Sequence, residues 1–183
     1  SYDSTGKTKF YSGKEVKRKR AHYKQLRSDL QRKNTRSSRR RLKTIGNREN
    51  RWMNDVNHQL SKALVESVGK TPTLFVLEDL TGIRSATETV CKKNRYYQVS
   101  WAFYQLRSMI EYKAQKNGHL AIAVDPRNTS RACPKCGFTS KKNRNNKKHL
   151  FTCQSCNYSS NDDRIGAMNI HSKGIKYRMD MTA

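Results

Sequence analysis

Four cysteines stand as Cys133-Pro-Lys-Cys136 and Cys153-Gln-Ser-Cys156, with sixteen residues between the pairs. Two C-x2-C pairs at that separation have the spacing of a structural zinc site, in which each pair sits on a tight turn and points two thiolates at one tetrahedral ion. Glu78 closes the apolar run Leu74-Phe-Val-Leu77, and Asp163 opens the segment Asp163-Arg-Ile-Gly-Ala-Met-Asn169-Ile170. Catalytic groups of open α/β sheets lie beyond the carboxyl ends of the strands, and Mg²⁺ takes oxygen ligands, so a carboxylate at the end of a strand is placed to hold one. The plainer alternatives are a solvated acid at a strand end for Glu78 and helix capping for Asp163. Asp125 is followed by Pro126 and reads as a turn residue.

These groups sit in a chain of 183 residues with a formal net charge of +25. Such a charge repels itself unless an anion neutralises it, so a polyanion is the expected partner, DNA or RNA ahead of a membrane. No run of about 18 apolar residues and no secretory segment is present, so nothing in the sequence spans a membrane or directs export. Five cysteines, four of them in a metal pattern, fit a reducing cytosol better than a disulfide framework, so a cytoplasmic protein is expected. Cys91 reads as an ordinary thiol.

The elements that must position these residues follow from periodicity and punctuation. Asp3-Ser-Thr-Gly6 is a turn signal followed by the short alternating run Thr8 to Tyr11. Residues 15 to about 68 predict two long helices with a turn near Asn34 to Ser38. Val16, Tyr23, Leu26 and Leu30 mark the inner face of the first. Leu42, Ile45, Trp52, Val56, Leu60, Ala63, Leu64 and Val68 mark that of the second. Leu74 to Leu77 predicts a strand buried on both faces. Gly82 to Gln98 reads as a loop. Val99 to Lys116 predicts a helix with Trp101, Leu106, Met109, Ile110 and Tyr112 inward and Gly118 as its C-cap. His119 to Val124 predicts a second buried strand, and Ala167 to Lys176 a last helix. Strands alternating with helices argue an α/β fold with parallel pairing.

Between Lys7 and Arg51 there are 18 Lys/Arg against three acids. The densest blocks include Arg18, Lys19 and Arg20, and then Arg39, Arg40 and Arg41. A bias this lopsided predicts phosphate contact, because lysines and arginines lining one surface gain from counterion release. Lys141 to Lys148 forms a basic loop between the cysteine pairs, with Lys147 and Lys148 as candidate DNA contacts. Trp52, Trp101, Phe103 and Tyr104 read as core more than as stacking platforms. His149 lies close to Cys153, but four cysteines already fill a tetrahedral site.

The order of these motifs resembles the transposon-encoded TnpB (OrfB) family and the related type V CRISPR effectors. The resemblance rests on the strand ending Glu78-Asp79-Leu80, the helix with Tyr112-Lys113-Ala114, Gly118 and its strand, Thr129-Ser130 before the cysteine ribbon, and Asp163 ahead of Ala167-Met-Asn-Ile170. It runs from the basic helices to near the C-terminus. It implies an RNase H-like, RuvC-type nuclease core with a long basic helical hairpin and an inserted zinc ribbon. The implied organisation is a core over 1–128, with the hairpin at about 15–68, a ribbon over 129–158, and a final motif and helix over 159–183. The implied activity is guide-RNA-directed DNA cleavage by two-metal hydrolysis with Mg²⁺ or Mn²⁺. By match to the motifs, Glu78 and Asp163 are the second and third catalytic carboxylates, Asn169 is the asparagine that follows, and Cys133, Cys136, Cys153 and Cys156 hold Zn²⁺. Ile165-Gly166 stand where the family usually has Asn-Ala. The family's first aspartate lies in an Asp-x-Gly strand ahead of a hairpin like that at Asp3 to Gly6. The expectation is therefore that this chain, which starts at Ser1, lacks that residue and the N-terminal part that grips guide RNA and target DNA. The competing readings are a nuclease-dead zinc-ribbon module binding DNA or RNA, and a zinc-ribbon protein of the translation or transcription machinery.

Overall fold

The computed structural model describes residues 1–81 and 103–181. The predicted loop Gly82 to Gln98, Cys91 and Trp101 lie outside the described residues. The chain divides into two compact units, one of Ser1–Phe10, Pro72–Asp79 and His119–Ala183, the other of Tyr11–Thr71 and Leu80–Gly118.

The second unit is helical. Helix α1 spans Lys14–Lys33 and α2 spans Arg36–Glu66. The turn between them is shorter than predicted. Asn34 ends α1 in the left-handed conformation, its N–H donating to Leu30 O. Thr35 caps α2 by accepting from Ser38 N at 3.1 Å. Ser38 therefore lies inside the helix, because a threonine at that position satisfies an otherwise orphaned N–H and starts the helix early. Helix α3 is described from Phe103 to Lys116, and Gly118 follows it at φ 74, as predicted for a C-cap glycine.

Burial in α2 differs from the predicted stripe. Its buried residues are Ser38, Ile45, Glu49, Met53, Asn57, Ser61 and Val65, mostly four apart, and three of the last five are polar. Asn57 Nδ2 donates to Gln105 Oε1 and Gln105 Nε2 to Asn54 Oδ1, each at 2.9 Å. Lys113 Nζ donates to His58 O and to Ser61 Oγ, each at 2.7 Å. Burial, and then the charge of Lys62, lowers the pKa of that ammonium. Polar contacts thus join α2 to α3, alongside the buried Met53, Val65, Met109, Ile110 and Ala114. Ala63 and Tyr112, predicted inward, are exposed.

Arg20 was expected on the nucleic-acid face, and the structure corrects this. Its side chain is 10% exposed and donates through Nη1 to Glu49 Oε1 at 3.3 Å, while Arg27 pairs with the other Glu49 oxygen. Arg20 turns inward because Glu49 is buried in α2 and a buried carboxylate needs a partner. Its neighbours keep outward roles. Arg18 is exposed, and Lys19 sits over the Trp52 ring with Nζ 4.6 Å from its centroid. Replacing Glu49 with alanine leaves two guanidinium groups without their acid, one of them buried. The expected cost is about 3–5 kcal/mol, read as a lower thermal midpoint by circular dichroism. An unchanged midpoint would show the pair to be solvated.

The first unit is built on two parallel strands, β1 (Leu74–Glu78) and β2 (Leu120–Val124), in register from Leu74↔Leu120 to Glu78↔Val124. Parallel neighbours need a long crossover, here 79–119. Neither strand is buried on both faces as predicted. Only Phe75 of β1 is buried, and Leu120, the first residue of β2, is 70% exposed. Among the described residues these are the only strands in this sheet.

A three-stranded antiparallel sheet follows, β3 (Arg144–Asn145), β4 (Leu150–Thr152) and β5 (Ser159–Asn161). It continues past the predicted ribbon boundary to Asn161 and runs directly into helix α4, Asp162–Asp180. That helix is longer than predicted at both ends, and its early start follows from Asn161, which caps it by accepting from Asp163 N and Arg164 N. Helix α4 packs on β1, and a Cβ at Gly174 would lie 2.3 Å from Val76 Cγ2, so glycine permits this close approach. The N-terminal segment belongs to the same unit. Tyr2 bridges Thr8, and its ring meets His171 of α4 edge-on at 5.3 Å. Asp3 is a turn residue, its Oδ1 accepting from Thr5 N, Thr5 Oγ1 and Lys7 N. Among the described residues no helix is long and apolar enough to cross a membrane.

Candidate metal centres

The cysteine centre is assembled from two knuckles of the same design. In each, the residue after the second cysteine is left-handed, Gly137 at φ 76 and Asn157 at φ 57. Its N–H donates back to the first cysteine, Gly137 N to Cys133 O at 2.9 Å and Asn157 N to Cys153 O at 3.0 Å. Glycine and asparagine tolerate that backbone, which is why each pair can close so tightly. The knuckles face each other, with Cys133 Sγ and Cys156 Sγ 3.6 Å apart and Cys136 Sγ and Cys153 Sγ 3.6 Å apart. All four sulfurs lie within 4.8 Å of one another. A tetrahedral ion bonded at about 2.3 Å separates its sulfurs by roughly 3.8 Å, so the four residues fit zinc.

Without an ion the sulfurs cannot all be thiolates. Burial pushes the Cys153 thiol up, but N–H groups of Cys156 and Ser155 and the neighbouring sulfurs outweigh it and bring it down to about 6. At Cys156 the N–H of Tyr158 pulls down, but burial and the three other sulfurs prevail and push it up to about 12. A metal ion removes that conflict by deprotonating the set. Cys133, Phe151, Cys153 and Ile165 form a buried cluster with Tyr158 and Met168 against it, which seats the ribbon on α4.

The carboxylates divide by environment. Asp162 is 1% exposed. Its Oδ2 accepts from Arg144 Nε at 2.8 Å, and its Oδ1 lies 3.5 Å from His149 Nδ1. His149, considered as a stand-in zinc ligand, instead faces this aspartate. Asp163, the next residue, is exposed, and among the described residues no hydrogen bond reaches its carboxylate. His149, Asp162 and Asp163 offer ligand atoms within 4.8 Å of one another, but Asp162 is already neutralised by Arg144. Of the adjacent pair, Asp162 is thus held by Arg144, while the carboxylate of Asp163, the residue expected from the sequence to be catalytic, is exposed.

Glu78 ends β1 in the same unit, half-buried. Its Oε1 accepts from Thr129 Oγ1 at 2.7 Å. Thr129 O in turn accepts from Asn169 Nδ2 at 2.6 Å, and Asn169 also donates to Ala132 O at 2.9 Å. A hydrogen-bonded path thus joins the strand bearing Glu78 to the helix bearing Asp163. The sequence pointed to Glu78, Asp163 and Asn169, but it gave Thr129 no role of its own. Its carboxylate partner lies far away in the chain, and only the Thr129-Ser130 motif drew attention to it. Asp125 is a turn residue as expected, accepting from Arg127 N at 2.9 Å.

The basic candidates fall on both units. Arg39, Arg40 and Arg41 are exposed at the start of α2, Arg39 also reaching Asn34 Oδ1. Lys147 and Lys148 are exposed in the loop between β3 and β4, with their N–H groups donating to Asn145 Oδ1.

A mixed α/β unit that carries a four-cysteine ribbon between its second strand and its last helix defines a class, and comparison with known proteins specifies it. The Cas12f1-like TNB domain matches residues 103–170. The TnpB-like protein MJ0751 of Methanocaldococcus jannaschii is 34% identical over 137 residues, 73% of this chain and 48% of that protein. The CRISPR-associated endodeoxyribonuclease Cas12f1 of Syntrophomonas palmitatica is 28% identical over 134 residues, 73% of this chain and 26% of that protein. The Cas12f1–sgRNA–target DNA complex superposes with a TM-score of 0.66 at 21% identity, covering 90% of this chain and 44% of that one. The chain belongs to the TnpB family, which is related to the type V CRISPR effectors. It spans about half the length of the TnpB-like relative and about a quarter of that Cas12f1.

Proposed function

We propose that the chain is the nuclease part of an RNA-guided DNA endonuclease, with an RNase H-like, RuvC-type core that hydrolyses DNA phosphodiesters. The observations that support this reading are that Glu78 ends β1, that Asp163 lies in the first turn of the helix packed on that strand, and that among the described residues no hydrogen bond reaches the Asp163 carboxylate. Both are oxygen donors of the kind that Mg²⁺ or Mn²⁺ takes. Divalent cations held there would supply water activation and stabilise the leaving oxygen. Glu78 and Asp163 hold and orient them, and the helix N-terminus favours the negative charge that Asp163 must carry. Cys133, Cys136, Cys153 and Cys156 hold a structural Zn²⁺. Arg18, Lys19, Arg39, Arg40, Arg41, Lys147 and Lys148 offset phosphate charge on DNA and guide RNA. Base pairing with the guide, rather than side-chain readout, supplies sequence specificity.

The test is cleavage of a guide-matched DNA duplex by the full product of the gene, with Mg²⁺ and with EDTA. Cutting that needs both guide and metal is the expected result. Binding of guide and target with no cutting in Mg²⁺ or Mn²⁺ would instead establish a binding module.

A further inference from the structure

The route between Glu78 and Asn169 passes through one side chain for which the metal chemistry above has no use. Thr129 is 4% exposed. Its hydroxyl carries one proton and faces two acceptors, Glu78 Oε1 at 2.7 Å and Pro126 O at 2.9 Å. The shorter contact is to the carboxylate, and a hydrogen bond to a charged acceptor is the stronger one. The opposite side of the same residue is fixed as well. Both amide hydrogens of Asn169 are committed, one to Thr129 O and one to Ala132 O. Ala132 adjoins Cys133, and Ala132 N donates to Asn128 O at 2.9 Å, so the segment is closed on itself just ahead of the ribbon.

We propose that Thr129 is a positioning residue. It holds the Glu78 carboxylate in one rotamer through Oε1, which would leave Oε2 for a cation, and references that rotamer through Asn169 to the helix that presents Asp163. This rests on the reading of Glu78 and Asp163 as cation ligands. A glutamate at a strand end has three side-chain torsions to order, and a cation shared with a residue on another element tolerates little error in them. A donor on one oxygen removes that freedom before the ion arrives. Hydrogen-bond partners of metal ligands act in this way, and their loss costs roughly 10–100-fold in metal affinity.

The experiment is Mn²⁺ binding to the zinc-loaded chain, followed by electron paramagnetic resonance of free Mn²⁺, for the parent chain, Glu78→Gln, Thr129→Val and Thr129→Ser. Zinc content and thermal midpoint are measured on the same samples. Thr129→Val is expected to weaken Mn²⁺ binding about 10–100-fold with zinc retained, and Thr129→Ser to stay close to the parent. Equal affinity in Thr129→Val and the parent, with Glu78→Gln weakened, overturns the positioning role while leaving the metal site in place. Equal loss in Thr129→Ser and Thr129→Val also overturns it, because the methyl group and not the hydroxyl would then matter. If Glu78→Gln binds Mn²⁺ like the parent, Glu78 holds no ion and both readings fall.

Discussion

Glu78→Gln and Asp163→Asn are each expected to abolish cleavage while leaving fold, zinc content and nucleic-acid binding intact. Each change removes one negative charge and one strong oxygen donor but keeps the shape of the side chain. The amide can still accept from Thr129, so the local packing survives. What would be lost, on the proposed reading, is the charge that holds a divalent ion against the phosphate. Metal stabilisation of the developing charge contributes several kcal/mol, and about 4 kcal/mol corresponds to roughly a 10³-fold loss of rate. The rate of guide-directed cleavage in Mg²⁺, measured in single turnover, checks this. Asp162→Asn separates the neighbouring aspartates. Asp162 is buried against Arg144, so its loss is expected to act through stability. A variant at Asp163 that cuts at the parental rate would remove it from the chemistry.

The second large effect concerns the ribbon. Cys136→Ser is expected to release zinc, from about one ion per chain to near none, and to unfold the segment around the knuckles. Cys136 is exposed, so the loss cannot be assigned to a packing defect in the core. The ribbon has little else to hold it. Its three strands are two or three residues long, and its buried cluster consists of two of the cysteines together with Phe151 and Ile165. Structural zinc supplies about 10–16 kcal/mol of apparent binding energy in small domains of this kind, and that energy is folding energy. Zinc content by mass spectrometry and melting with and without chelator provide the check. Full zinc occupancy in Cys136→Ser would refute a four-cysteine site.

How much of this was legible in the sequence depends on how local each cause is. The clustering of the four cysteines was readable because a C-x2-C knuckle is closed by residues next to it, Gly137 and Asn157. The helices, the short strands and the turn at Asp3 were readable for the same reason. Arg18 and Arg20 could not be told apart by composition, because the carboxylate that draws Arg20 inward, Glu49, is 29 residues away. The polar seam of α2 was hidden likewise. Asn57 and Ser61 are buried because Gln105 and Lys113 on α3 satisfy them. Burial of the strands was overestimated because an apolar run does not reveal what covers each face of the sheet. Asp163 was singled out by its motif, but that its neighbour Asp162 is held by Arg144 could not be read, because no spacing rule connects the two.

The most direct test of the account is the position of a bound cation. Crystals of the chain soaked in Mn²⁺ and measured at the manganese absorption edge would show each ion as an anomalous peak. The account predicts a peak at coordination distance, about 2.2 Å, from a Glu78 oxygen and an Asp163 oxygen together. A peak held by His149 and Asp162 with Glu78 left free, or no peak at saturating Mn²⁺, would contradict it.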